Sequence, residues 1–218
     1  ADEVKELVDV VNCHPRALVL LAREVASGVR ATAQSVGALM AKLERENEGD
    51  RENSLYASVA LSLGRLPEGM RELVQGLAVF HGGGHMANMA HVMGIEANDV
   101  GAVAEGLIGV GMAEAQEYNY LRFDPALSTY LKVGQTAKRL AELESNWAEA
   151  MEHLVEFLYQ QNFRNSRMAF RLTSLELPNV MALMSWLEND LENNKTRAKQ
   201  KLSPSIAEAK PCLSSSLF

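Results

Sequence analysis

Apolar residues recur at helical spacing along nearly the whole chain, and a glycine, a proline or a polar run stops each stripe before it grows long. Such a chain is constrained to fold as a set of short amphipathic helices that bury their stripes against one another. Val4, Leu7, Val8 and Val11 give the first stripe, and Leu18, Leu21, Ala22 and Val25 repeat it after the break at His14-Pro15. A polar run from Glu44 to Asn53 reads as a helix end plus a linker. Tyr56, Val59, Ala60 and Leu63 follow, stopped by Gly64. Leu66-Pro67-Glu68 is a helix start, because proline loses nothing in the first turn and an early acid suits the helix dipole. Met70, Leu73, Val74 and Leu77 mark its buried face, and His81-Gly82-Gly83-Gly84 breaks the chain as a flexible turn.

The next stripes are Met86, Met89, Ala90, Met93 and then Val100, Val103, Ala104, Leu107, the latter ended by Gly109 and Gly111. The methionines at helical spacing are expected in the core. Met112 to Gln116 and Tyr120 to Phe123 suit two short strands around a polar turn, Glu117 to Asn119. Asp124-Pro125 starts another helix, with aspartate as N-cap and proline at the first position. Three short helices and a hairpin in this order predict a winged helix. Past Gln135 the helical pattern resumes in Trp147, Ala150, Met151, Leu154 and again in Val180, Leu183, Met184, Leu187, Leu191. The expected fold class is mainly α. A helical subdomain occupies 1–50, a winged-helix domain with one β-hairpin 54–133, and an antiparallel bundle resembling helical repeats 134–193. Residues 194–218, rich in Lys, Ser, Pro and Ala, read as a tail or a truncated repeat.

Charge conflicts with the shape. Between Arg71 and Arg122 there is no lysine or arginine. A winged helix that reads DNA presents a basic helix to the major groove, whereas this one presents Glu96, Asp99 and Glu105. The whole chain, at 218 residues with net charge -7, is acidic and poor in aromatics, so nucleic acid is not an expected partner. Only Cys13 and Cys212 are present, with no C-x-x-C pair, which argues against a disulfide framework or a thiolate zinc site. No stretch looks like a signal peptide or a membrane span, so a cytoplasmic location without membrane contact is expected. Ala1-Asp2-Glu3, with no initiator methionine, is expected of a fragment or a processed chain.

Catalytic motifs are missing. No G-x-x-x-x-G-K-[ST] loop exists to cradle phosphates, and Gly109-Val110-Gly111 leads to Glu114 and a strand where a dinucleotide fingerprint needs a third glycine and a helix. The His81 to Gly84 run resembles an esterase oxyanion loop, but the G-x-S-x-G elbow it would serve is absent. His81, His85 and His91 have no acidic or thiolate partner at ligand spacing, so no metal site is expected.

Two segments carry a family resemblance. Asn12-Cys13-His14-Pro15-Arg16-Ala17-Leu18 resembles the G-x-P-x-A-L helix start in the ARC region of NB-ARC (STAND-class) signalling ATPases. Tyr120-Leu121-Arg122-Phe123-Asp124-Pro125-Ala126-Leu127 resembles the segment holding that family's M-H-D or H-P motif. Leu177-Pro178-Asn179-Val180-Met181-Ala182-Leu183, with Trp186-Leu187, is similar to the helix that opens tetratricopeptide-type arrays in bacterial members. The resemblance implies a P-loop domain upstream of Ala1 that holds ADP or ATP, with Pro15 packing on the adenine and the motif residue at Asp124 facing the β-phosphate. It implies that this chain binds no cofactor alone and is not an enzyme by itself. Its partners would be that P-loop domain and proteins engaged by the C-terminal helices. His14 stands where the family has glycine or asparagine, and Asp124 where it has histidine. A carboxylate there repels a phosphate unless a cation intervenes, and its local role is that of an N-cap. Two other functions are consistent with the chain: a helical protein-interaction adaptor, and a winged-helix DNA-binding regulator, against which the cation gap argues.

Overall fold

A computed structural model describes residues 2–11, 13, 15–26, 33–46, 53–96 and 98–207. The chain divides into two compact units, residues 1–179 and the residues from Val180 onward.

The first unit opens with three helices, α1 (Asp2–Val10), α2 (Pro15–Ala26) and α3 (Ala33–Glu46). They close on a small core of Val11, Ala17, Leu21 and Val36, flanked by Leu7, Val10, Leu18 and Met40. Helix α3 has no counterpart among the stripes read from the sequence. The polar run, Glu44 to Asn53, begins within its last turn and ends at the first residue of the next helix, and residues 47–52 of that run lie outside the described residues. Helix α4 (Asn53–Gly64) packs against α2 and α3 on one side and reaches the later helix α8 (Pro125–Val133) on the other. Its residues 55–59 are all buried, which is why its stripe is wider than an amphipathic helix would show. Tyr56 meets Tyr130 of α8 at 5.9 Å between ring centroids.

The winged helix follows. Its elements are α5 (Glu68–Val74) running into a 3₁₀ turn (Gln75–Val79), β1 (Gly83–His85), α6 (Met86–Met93), α7 (Asp99–Gly109), β2 (Ala113–Ala115) and β3 (Tyr120–Phe123), closed by α8. The strands form one antiparallel sheet in the order β1-β3-β2, the winged-helix connectivity. Pro67 takes the N-cap of α5, one place before the first turn. The expected stripes are the buried faces: Val100, Val103, Ala104 and Leu107 on α7, and Met89 and Ala90 on α6. Phe80 meets Phe123 edge-on at 6.3 Å. Phe80, Leu77, Met89, Leu107, Met112, Leu121 and Leu127 are fully buried. Removing a ring from such a site costs about 3–5 kcal/mol. The hairpin turn is tight: Gln116 N–H donates to the Tyr120 carbonyl at 2.8 Å, three residues close the loop, and two of them, Tyr118 and Asn119, take positive φ, 59° and 54°.

One expectation is corrected. The glycine run is not a free turn, because Gly83–His85 forms the edge strand β1, with Gly83 opposite Arg122 and His85 opposite Tyr120. Glycines carry no strand propensity, so nothing local announces a strand here. Pairing with β3 and the helix described below hold it in place.

Helix α9 (Ala137–Arg164) packs against α6 and the 3₁₀ turn and buries the expected stripe, Trp147, Ala150, Met151 and Leu154, together with Leu143. It ends at Asn165, whose carbonyl accepts from Ala169 N–H as α10 (Ser166–Ala207) begins. Within the first unit α10 buries Ala169, Leu172, Glu176 and Asn179.

The second unit holds the rest of α10. Leu183 is buried there, while Met184 and Leu191, expected on the same stripe, are exposed. Residues 194–207, part of the stretch read as a tail, continue the helix, and residues 208–218 lie outside the described residues. Among the described residues no helix is long and apolar enough to cross a membrane.

Candidate functional site

The densest non-local polar cluster among the described residues lies where α10 meets the glycine strand. Two α10 residues one turn apart, Glu176 and Asn179, are both fully buried. Asn179 Oδ1 accepts from the His81 backbone N–H at 2.8 Å. Its Nδ2 donates to the Gly83 carbonyl at 2.8 Å and to Glu176 Oε2 at 2.7 Å. Glu176 Oε1 accepts from the His85 backbone N–H at 2.6 Å. One amide and one carboxyl thus take over three backbone groups of residues 81–85, on the side of β1 that has no neighbouring strand. Unpaired strand edges are otherwise left to water or to aggregation.

The glycines are required by space. Gly83 has φ 143°, and a β-carbon there would strike the Leu121 carbonyl and lie 2.8 Å from Tyr120 Oη. At Gly84 it would lie 2.7 Å from the Phe80 ring. The strand therefore passes closer to β3 and to Phe80 than any side chain would allow.

Burial sets the protonation of the cluster. The Glu176 carboxyl is pushed up to about 7 by loss of water, against the opposing pull of its hydrogen bonds from Asn179 and His85. The Tyr120 hydroxyl is pushed well above the usual phenol range by burial and by the neighbouring Glu176 carboxylate, so it stays neutral. His85 is held below the usual imidazole range by burial, and its Nδ1 caps α6 by accepting from Ala87 N–H at 3.3 Å.

Beside the cluster lies an open pocket of about 340 Å³, lined by His81, Gly82, Asp124, Ser128, Thr129 and Lys132 among others. The His81 ring lies 5.7 Å from Trp147. Burial and then the Lys132 charge hold its pKa down. Asp124 caps α8: its carboxylate accepts from Ala126 N–H at 2.9 Å, and its own N–H donates to the Met112 carbonyl at 2.8 Å. Pro15, the other residue singled out by sequence, is the exposed first residue of α2. It is not among the residues lining the Asp124 pocket, and α4 packs against both α2 and α8. His91 is exposed, 3.9 Å from Glu149. Among the described residues no group of three or more His, Cys, Asp or Glu side chains could hold a metal ion.

No protein family, no curated protein and no solved structure matches the chain. The site must therefore be judged on its own chemistry. It holds Lys132 and the hydroxyls of Ser128 and Thr129 with the helix-capping Asp124, next to a clamp of buried polar groups.

Sequence reasoning missed Glu176 and Asn179. A signal was present: the buried line of α10 runs Ala169, Leu172, Glu176, Asn179, Leu183 at spacings of three and four. A glutamate and an asparagine on an otherwise apolar helical line mark a buried polar contact.

Proposed function

We propose that this chain is the regulatory part of a nucleotide-switched signalling ATPase of the NB-ARC (STAND) class, the family its motifs resemble. In this reading it performs no chemistry alone. ADP or ATP would be held by a P-loop domain encoded upstream of Ala1, with Pro15 and Asp124 as this chain's own contacts to it. Lys132 beside Asp124 would supply the cation that lets a carboxylate stand near a phosphate. Protein partners would engage the C-terminal helices, and the protein would work in the cytoplasm.

The observation that carries the reading is the outer face of α7. This is the helix that a DNA-reading winged helix inserts in the major groove. Its exposed residues include Asp99, Ala102, Glu105 and Ile108, with no cation among them. Such a face repels phosphates and suits contact with protein. The intact chain should give no gel shift with non-specific duplex DNA even at low salt, where electrostatic binding is strongest. The deciding test is the gene sequence upstream of the Ala1 codon. A G-x-x-x-x-G-K-[ST] loop after a strand, about 100–200 residues earlier, is the expected result. A reading frame without that loop overturns the nucleotide part of the proposal.

A second reading, a helical interaction adaptor without a nucleotide, is favoured by exposed aromatics on α9 and early α10: Tyr159, Phe163 and Phe170. It differs in one outcome, since Pro15→Ala would then leave the nucleotide affinity of the full-length protein unchanged.

A further inference from the structure

The clamp has a chemistry of its own, independent of any nucleotide. Its carboxyl is fully buried, yet its hydrogen-bond partners, the Asn179 amide and the His85 backbone N–H, are both neutral. An ionised group in such a place lacks the cation that normally accompanies buried charge. Among the described residues the neighbouring elements supply none at close range. On β3, Tyr120 faces the cluster as a neutral phenol, and Arg122 is exposed. On β1 and just before it, His85 and His81 are both held towards their neutral forms. On α10 itself, exposed Arg171 pairs with Glu117 of the hairpin turn at 3.7 Å.

We infer that Glu176 is a proton-operated latch: while its carboxyl is neutral, α10 residues 166–179 stay fastened to the glycine strand, and loss of the proton loosens that junction. The hydrogen bonds it would release bridge residues 91 to 98 positions apart in sequence, so the latch couples the winged helix to the start of α10, beyond the intervening α9. The direction follows from linkage. The carboxyl titrates near 4.5 when free and near 7 when docked, so the docked state is favoured fully below 4.5. That preference falls as pH rises towards 7 and is level above it. His81 and His85 contribute with the opposite sign. Their docked values lie below 6.5, so their share of stability grows as pH rises to 6.5.

The test is amide hydrogen exchange of the intact chain from pH 5 to 8.5, corrected for intrinsic rates and followed at the His81 and His85 amides. Glu176→Gln removes the titrating group and leaves both histidine contributions in place. The opening constant of the natural chain, divided by that of Glu176→Gln, should rise by up to about tenfold per pH unit to pH 7 and then level off. Parallel profiles for the two proteins would overturn the latch. A second measurement needs no variant: the carbon-13 shift of the Glu176 carboxyl should titrate near neutrality. A midpoint near 4.5 would overturn the proposal equally.

Discussion

Two polar junctions hold strand ends to helices in this chain, and they are built on opposite principles. At Asp124 a carboxylate serves the backbone two residues ahead and caps its own helix. At Glu176 and Asn179 a carboxyl and an amide serve backbone groups 91 to 98 positions away. The first is half-buried and the second fully buried. A local cap can exchange its partner for water when it fails. The buried clamp has no water to fall back on, so its loss leaves donors and acceptors unpaired. The two junctions should therefore differ in cost by several-fold, which makes the contrast testable.

The largest effect is expected on the strand side of the clamp. Gly83→Ala places a β-carbon against the Leu121 carbonyl and Tyr120 Oη, which no side-chain rotation relieves, and it does so at φ 143°. The expected loss is about 3 kcal/mol or more in urea unfolding. Gly82→Ala is the control: its φ is 82° but nothing lies within 4 Å of the added carbon. It should cost about 1 kcal/mol, from backbone strain alone. Equal losses at the two positions would mean that the close approach of β1 to β3 is not what requires glycine.

On the helix side, Asn179→Ala leaves the His81 N–H, the Gly83 carbonyl and one Glu176 oxygen without their partner. About 2–4 kcal/mol should be lost, given about 1–3 kcal/mol for each buried polar group left unsatisfied and some relaxation around it. Combined with Glu176→Gln, the double variant should lose less than the sum, by about 0.5–3 kcal/mol, because the two side chains share one network. Strict additivity would show that Glu176 and Asn179 clamp the strand separately.

The same contrast explains what the sequence disclosed. Helical stripes and the Asp124-Pro125 helix start are local patterns: α7 and α9 bury the faces those patterns name, α5 and α6 bury part of theirs, with Met70, Leu73, Met86 and Met93 half-buried, and α8 starts where expected. The two hairpin strands were legible for the same reason, as two short segments on either side of a polar turn. Strand β1 was not. Its three residues are two glycines and a histidine, and what makes them a strand is a ladder to β3 and two side chains near position 180. No window around residues 81–85 contains that information. Glu176 and Asn179 were visible only as polar interruptions of an apolar line, a signal that points to a buried contact without naming the partner. The candidate site divides the same way. Asp124 could be singled out, and Ser128 and Lys132 follow it at helical spacing on its own helix, whereas His81 reaches the same pocket through tertiary packing alone.

The smallest effect is expected at Asp124, and it is the one that could undo the comparison. Asp124→Ala removes the side-chain acceptor for Ala126 N–H but keeps Pro125 at the first helical position and the backbone bond from residue 124 to Met112. A lost N-cap costs about 1 kcal/mol. Asp124→Ser should restore most of it, since a serine hydroxyl accepts the same bond. If Asp124→Ala instead cost as much as Asn179→Ala, and serine failed to rescue it, the carboxylate would be serving more than its own helix. The pocket it shares with His81 and Lys132 would be the place to look, because a carboxylate 3 residues before Leu127 and beside a lysine can hold the wall of that pocket as well as the end of α8. The contrast between a local and a non-local junction would then fail, and Asp124 would belong with Glu176 and Asn179.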